Sequence, residues 1–185
     1  MPVTVTQALD RFIEHYLQAQ LARYGDLPRL EHDPDWPSPC LQGEPDPQGL
    51  QRWQPVLQSE PTDLFERLAE ALGEPVHNDI AAYYSRYWSD PLRASCATGD
   101  LSLLFVWNAE DLERLRGNLI GHLLDCRRRK RPDALFFACT EPEDYVLSID
   151  NQSGEVLLEQ PGSPKFDIVA PSLAGFIDSL RPNID

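Results

Sequence analysis

The apolar positions of the chain follow two different rhythms. Leu9, Phe12, Ile13, Tyr16, Leu17 and Leu21 recur at spacings of three and four, as on one face of a helix. Thr6 is placed to cap this helix and Gly25 to stop it. Leu64, Phe65, Leu68, Ala69 and Leu72 repeat the pattern between Thr62 and Gly73. Leu112, Leu115, Leu119, Ile120, Leu123 and Leu124 repeat it after Asn108, a capping residue followed by Glu110 and Asp111 where acids suit the helix dipole. The four aromatic residues within Asp79–Trp88 fit a short helix as well as a strand. Leu101–Trp107, "LSLLFVW", reads as a strand. After Pro132 the rhythm changes to two. "ALFFACT", "YVLSID" and "EVLLEQ" predict an antiparallel meander, turned by "EPED" and by Asn151–Gly154. Ser172–Leu180 closes the chain as a helix.

The segment 28–61 fits neither rhythm. It holds eight prolines, which nearly exclude regular helix. Trp36, Cys40, Leu50, Trp53, Val56 and Leu57 give it too much apolar surface for a linker. It is expected to be a long ordered loop on the core, with a short strand near Trp53–Val56. The whole, 1–185, is expected to be one α+β domain with a mostly antiparallel sheet and helices on one side of it.

Charge changes the picture more than composition does. The 185 residues include 30 Asp and Glu against 16 Lys and Arg, a formal balance of −14. Five of the sixteen bases stand together at Arg127, Arg128, Arg129, Lys130 and Arg131; without them 30 acids face 11 bases, a balance of −19. Such a surface repels nucleic acid and anionic lipid at long range and attracts cationic partners. No apolar run approaches the roughly 20 residues that span a bilayer. The N-terminus lacks the basic and apolar regions of a signal peptide, and the four cysteines are scattered, so a cytoplasmic protein with reduced thiols is expected.

Candidate chemistry is sparse. His15, His32, His77 and His122 show no metal-binding pattern, and His122 reads as a hydrogen-bonded structural histidine. Cys40, Cys96, Cys126 and Cys139 form no zinc-type pair. No glycine-rich phosphate loop follows a strand. No enzymatic activity, metal, cofactor or small-molecule substrate is therefore expected. The acids Asp63, Glu66, Glu70, Glu74 and Asp79 cluster along the second helix and just past it, either as a solvated face or as a docking surface for a basic peptide. The basic run suits a helix C-terminus, where cations are stabilising, and leaves room for contact with anionic headgroups.

Several blocks carry a family resemblance in order along nearly the whole chain: "WPSPC" at 36–40, "WQP" at 53–55, "FERLAEAL" at 65–72, "DLERLRGNLIGHLL" at 111–124, "NQSGEV" at 151–156 and "LAGFIDSLRP" at 173–182. With its length and acidity, the chain resembles the Syd family of bacterial SecY-interacting proteins, within the SUKH superfamily. The resemblance implies a SUKH-like fold with a concave acidic surface and a role without catalysis. It implies binding to basic cytoplasmic loops of the SecY translocon subunit, peripherally on the cytoplasmic side of the inner membrane, in a monitoring of SecY assembly. Glu66, in the "FE" block, is the best single candidate contact. Another SUKH role, an immunity-type protein that neutralises a basic toxin, remains the alternative.

Overall fold

A computed structural model describes residues 1–185, with five helices and twelve short strands. Helix α1 (Val5–Tyr24) starts two residues earlier than Thr6 would allow, because Thr4 and Gln7 form a reciprocal capping box. Gly25 ends it at φ 68°, a left-handed conformation that glycine takes without strain. The buried stripe departs from expectation at its last turn: Gln20 is buried and donates to the Asp26 carbonyl, while Leu21 is exposed.

The proline-rich segment is more regular than a loop. It contains β1 (Arg29–Glu31), β2 (Leu41–Gln42), β3 (Leu50–Trp53) and β4 (Val56–Leu57). The first three form a small antiparallel sheet in the order β1-β3-β2, with Cys40 and Trp53 in the core. Prolines separate these strands rather than interrupt them, which is where a sheet tolerates proline. Helix α2 (Leu64–Leu72) follows, and Gly73 stops it. The aromatic stretch resolves into both of its options, α3 (Asn78–Tyr84) and then β5 (Tyr87–Trp88), which pairs with β4.

The main sheet has seven antiparallel strands in the order β11-β10-β9-β8-β7-β6-β12. In chain order these are β6 (Leu92–Cys96), β7 (Gly99–Leu103), β8 (Ala134–Glu141), β9 (Val146–Asp150), β10 (Val156–Glu159), β11 (Phe166–Ala170) and β12 (Arg181–Pro182). The "LSLLFVW" strand ends at Leu103 rather than Trp107, because Phe105, Val106 and Trp107 peel away to build a different wall. Helix α4 (Ala109–Arg128) lies between β7 and β8, and α5 (Leu173–Asp178) between β11 and β12.

Helices cover both faces of this sheet, not one. Phe136 meets the His122 ring of α4 edge-on at 5.6 Å, while Phe137 meets Phe176 of α5 at 5.8 Å. Successive side chains of a strand point to opposite faces, so these neighbours meet different helices. The continuous apolar run Ala134–Ala138 fits a strand buried on both faces. The tyrosines of α3 lock to the sheet: Tyr84 donates to the Phe136 carbonyl of β8 at 2.8 Å and Tyr83 to that of Leu104, just past β7, at 2.9 Å. One continuous core of 37 buried residues results. At the far edge, β11 keeps Phe166, Ile168 and Val169 exposed.

Candidate functional site

The chain that peels off after β7 forms one wall of a cleft of about 350 Å³. Phe105, Trp107 and Asp111 line it from that segment, Leu30, Glu31, Asp33, Trp36 and Leu41 from the proline-rich segment, and Ser89, Asp90 and Pro91 from the chain after β5. Hydrogen bonds from the "PSPC" block hold the walls together. Ser38 Oγ donates to the Trp107 carbonyl at 2.6 Å and accepts from Cys40 N at 3.0 Å. Asn108 Nδ2 donates to the Pro37 carbonyl at 2.8 Å, and Trp107 Nε1 to that of Trp36 at 3.2 Å. The Trp107 ring packs edge-on against buried Trp53 at 5.9 Å. This is a rigid aromatic frame, since buried polar groups at each corner are satisfied.

Four carboxylates decorate that frame. Asp111 is oriented twice over: its Oδ2 accepts from Trp107 N at 2.8 Å, and its own N–H donates to the Asn108 cap at 2.9 Å. Asp90 stands exposed at the mouth, but protein surrounds its carboxyl. Loss of hydration first, and then the negative charge of Asp111, raise its pKa above the ordinary value. Glu31, Asp33, Asp90 and Asp111 take part in none of the protein's salt bridges. The cleft is concave, aromatic and negative; the one cation against its wall, the Arg114 guanidinium 4.4 Å over the Trp36 ring, bridges none of the four carboxylates. Cys40 behind it is no nucleophile, because burial pushes its thiol up to about 11.

The five acids singled out by sequence lie elsewhere. Asp63 binds Arg67 at 3.0 Å, and Arg67 also binds Glu113 of α4 at 2.5 Å. Glu74 binds Arg127 at 3.1 Å. Asp79 is half-buried in the first turn of α3. Glu66 and Glu70 alone of the five are exposed, without an ion-pair partner. None of the five lines the cleft.

Comparison with known proteins shows the family of the chain. A family profile described as "Syd protein (SUKH-2)" matches residues 6–182. The chain is 42% identical over 184 residues to Protein Syd of Pseudoalteromonas atlantica, covering 98% of each. It is 40% identical to Protein Syd of Alteromonas mediterranea, again over 98% of each, and 38% identical to that of Aliivibrio fischeri strain MJ11, over 100% of this chain and 99% of the relative.

The chain belongs to the Syd family.

No helix of this Syd-family chain is long and apolar enough to cross a membrane. Its basic run is mostly engaged internally. Arg127 reaches Asp133 at 2.7 Å, Arg128 reaches Asp125 at 2.5 Å, and Arg129 reaches Asp125 at 2.9 Å and the Gly162 carbonyl at 2.7 Å. Lys130 makes the turn at φ 57°. Arg131 is buried, and its Nη1 donates to Glu159 at 2.5 Å.

That last contact belongs to a buried polar cluster. Glu159, 2% exposed, also accepts from Ser148 Oγ and meets His122 Nε2 at 2.9 Å, with the Cys126 thiol at 3.9 Å. Burial works against the His122 imidazolium, but its Cys126 and Glu159 partners outweigh burial and lift it to about 9. Burial likewise opposes the Glu159 carboxylate, but His122, Ser148 and Arg131 together hold it below the ordinary value. Sequence reasoning missed this constellation. His122 and Cys126 are one helical turn apart, yet Glu159 lies on a strand more than thirty residues on.

Proposed function

We propose that this chain is a non-enzymatic binding protein that takes basic cytoplasmic loops of SecY at an acidic surface. The cleft between Trp36, Trp107 and Asp90 is the centre of that surface, and Glu66 and Glu70 steer the partner from a distance. The observation that carries the reading is a set of four cleft carboxylates without a salt-bridge partner, in a protein that pairs its one buried acid, Glu159, twice over. A Lys or Arg side chain entering the cleft would supply the missing charge, and the aromatic wall would accept its methylenes or its guanidinium face. The position is peripheral, on the cytoplasmic side of the inner membrane. The internal pairing of Arg127, Arg128, Arg129 and Arg131 leaves little free charge for headgroups, so protein rather than lipid holds it there.

The test is binding of the purified protein to inner-membrane vesicles, with and without SecY, at low and high salt. Salt-sensitive binding that disappears on SecY depletion, and that falls in Asp90→Asn, is the expected result. Binding that survives depletion would transfer the role to lipid and the basic run. No binding to either vesicle would favour a soluble basic partner, such as a toxin.

A further inference from the structure

The cluster around Glu159 contains three different metal-ligand chemistries in one place. We propose that His122, Cys126 and Glu159 form a binding site for a zinc ion that fastens the end of α4 to β10. The Nε2, Sγ and carboxylate oxygen all lie within 4.8 Å of one another. His122 and Cys126 stand four residues apart on α4, so both side chains leave the same face of the helix. Glu159 faces them from the sheet, and Cys126 and Glu159 are buried.

The geometry is close to what zinc takes. Tetrahedral zinc holds N, O and S donors at about 2.0–2.3 Å, which puts any two of them roughly 3.3–3.8 Å apart. His122 Nε2 and Glu159 Oε2 are 2.9 Å apart, and Cys126 Sγ lies 3.9 Å from Oε1. These two distances run to different oxygens of Glu159, and the three donors lie within 4.8 Å of one another, so shifts of about 1 Å or less bring them to that spacing. The mixture of imidazole, thiolate and carboxylate suits zinc or cobalt, whereas magnesium and calcium select all-oxygen sites.

Ligation takes a neutral His122 imidazole and a Cys126 thiolate, so any proton these groups carry leaves to solvent as the ion binds. Arg131 stays on Oε1 and Ser148 on the carboxylate, in the role of outer partners that orient a ligand. The fourth position is left for water. This inference is independent of the cleft, and its failure leaves the SecY reading untouched.

The full chain, stripped of metal and reduced, is titrated with cobalt(II) and then with zinc. The expected result is one equivalent of cobalt with a thiolate-to-cobalt charge-transfer band, bleached by zinc, and a thermal midpoint that rises with zinc. Cys126→Ser removes the band, and His122→Gln weakens binding by more than the roughly 10 to 100-fold that loss of an outer partner costs. Ser148→Ala stays within that lesser range and keeps the band. Circular dichroism of each metal-free variant verifies its fold. Absence of the band in the wild-type chain would overturn the proposal. A band that survives in Cys126→Ser would also overturn it, by assigning the metal to Cys40, Cys96 or Cys139.

Discussion

The cleft and the Glu159 cluster are both organised around carboxylates, and the fold surrounds them in opposite ways. Glu159 is deeply buried and meets a guanidinium, an imidazole and a hydroxyl. Asp90 and Asp111 face each other across an open cleft with no cation in reach of a bridge. A buried charge without a partner costs about 3–5 kcal/mol, so the first arrangement serves stability. The second is tolerated because water reaches it, and it leaves an electrostatic demand for something outside the chain. Position, rather than residue type, separates the acid that holds the fold from the acid that binds.

The largest expected effect breaks the first member of this pair. Arg131→Met strands Glu159 with a lesser set of donors and should destabilise by about 3–5 kcal/mol in equilibrium urea unfolding. A loss under about 1 kcal/mol, the scale of an exposed ion pair, would mean that the cluster is wet and the contrast false. Next comes the cleft. Asp90→Asn combined with Asp111→Asn should weaken SecY binding by about 2–5 kcal/mol if the charges are desolvated in the complex. The same double change should alter stability by no more than about 1 kcal/mol, because relief of the repulsion offsets loss of the Asp111 charge at the start of α4. Calorimetry of binding and of unfolding on one protein preparation separates the two outcomes.

A pH series sharpens the same point. The Asp90 pKa is raised above 3.8, so the folded chain holds that proton more tightly than the unfolded chain does. Falling pH through the window just above 3.8 should therefore add stability from this site while weakening partner binding. In Asp90→Asn the binding profile over that window should be flatter. The smallest effect is expected from Glu66→Lys with Glu70→Lys. Stopped-flow association with SecY loops should slow by roughly tenfold at low salt and converge with the wild type at high salt, the mark of steering. A difference that persists at high salt would place these two acids in the contact itself.

What was legible in the sequence followed local rules. Gly25 and Gly73 stop their helices, Asn108 caps α4, and "ALFFACT", "YVLSID" and "EVLLEQ" pair as an antiparallel meander. The five acids of the second helical region were found because they are neighbours in sequence. The cleft was not, since Glu31, Asp33, Asp90 and Asp111 are spread over eighty residues and meet only through the Ser38–Trp107 and Asn108–Pro37 bonds. Strands β6, β11 and β12 escaped because β11 and β12 bury no residue and β6 buries only Leu92 and Ala94, so each takes its place from its neighbours. Arg131 looked like one more base in a run of five. Only the fold distinguishes it, by burying it against Glu159 while Arg128 remains outside.

The uncovered border strand β11 gives the acidity a second consequence. Phe166, Ile168 and Val169 make it a sticky margin, and an unpaired strand edge is a template for another copy of itself. Two molecules that each carry −14 keep their distance in dilute buffer. As added electrolyte shortens the reach of that repulsion from about 10 Å at 0.1 M to about 3 Å at 1 M, the colloidal barrier thins while the margin stays the same. The charge that recruits a cationic partner thus also sets the shelf life of the solution, and a concentrated stock will keep best at low ionic strength.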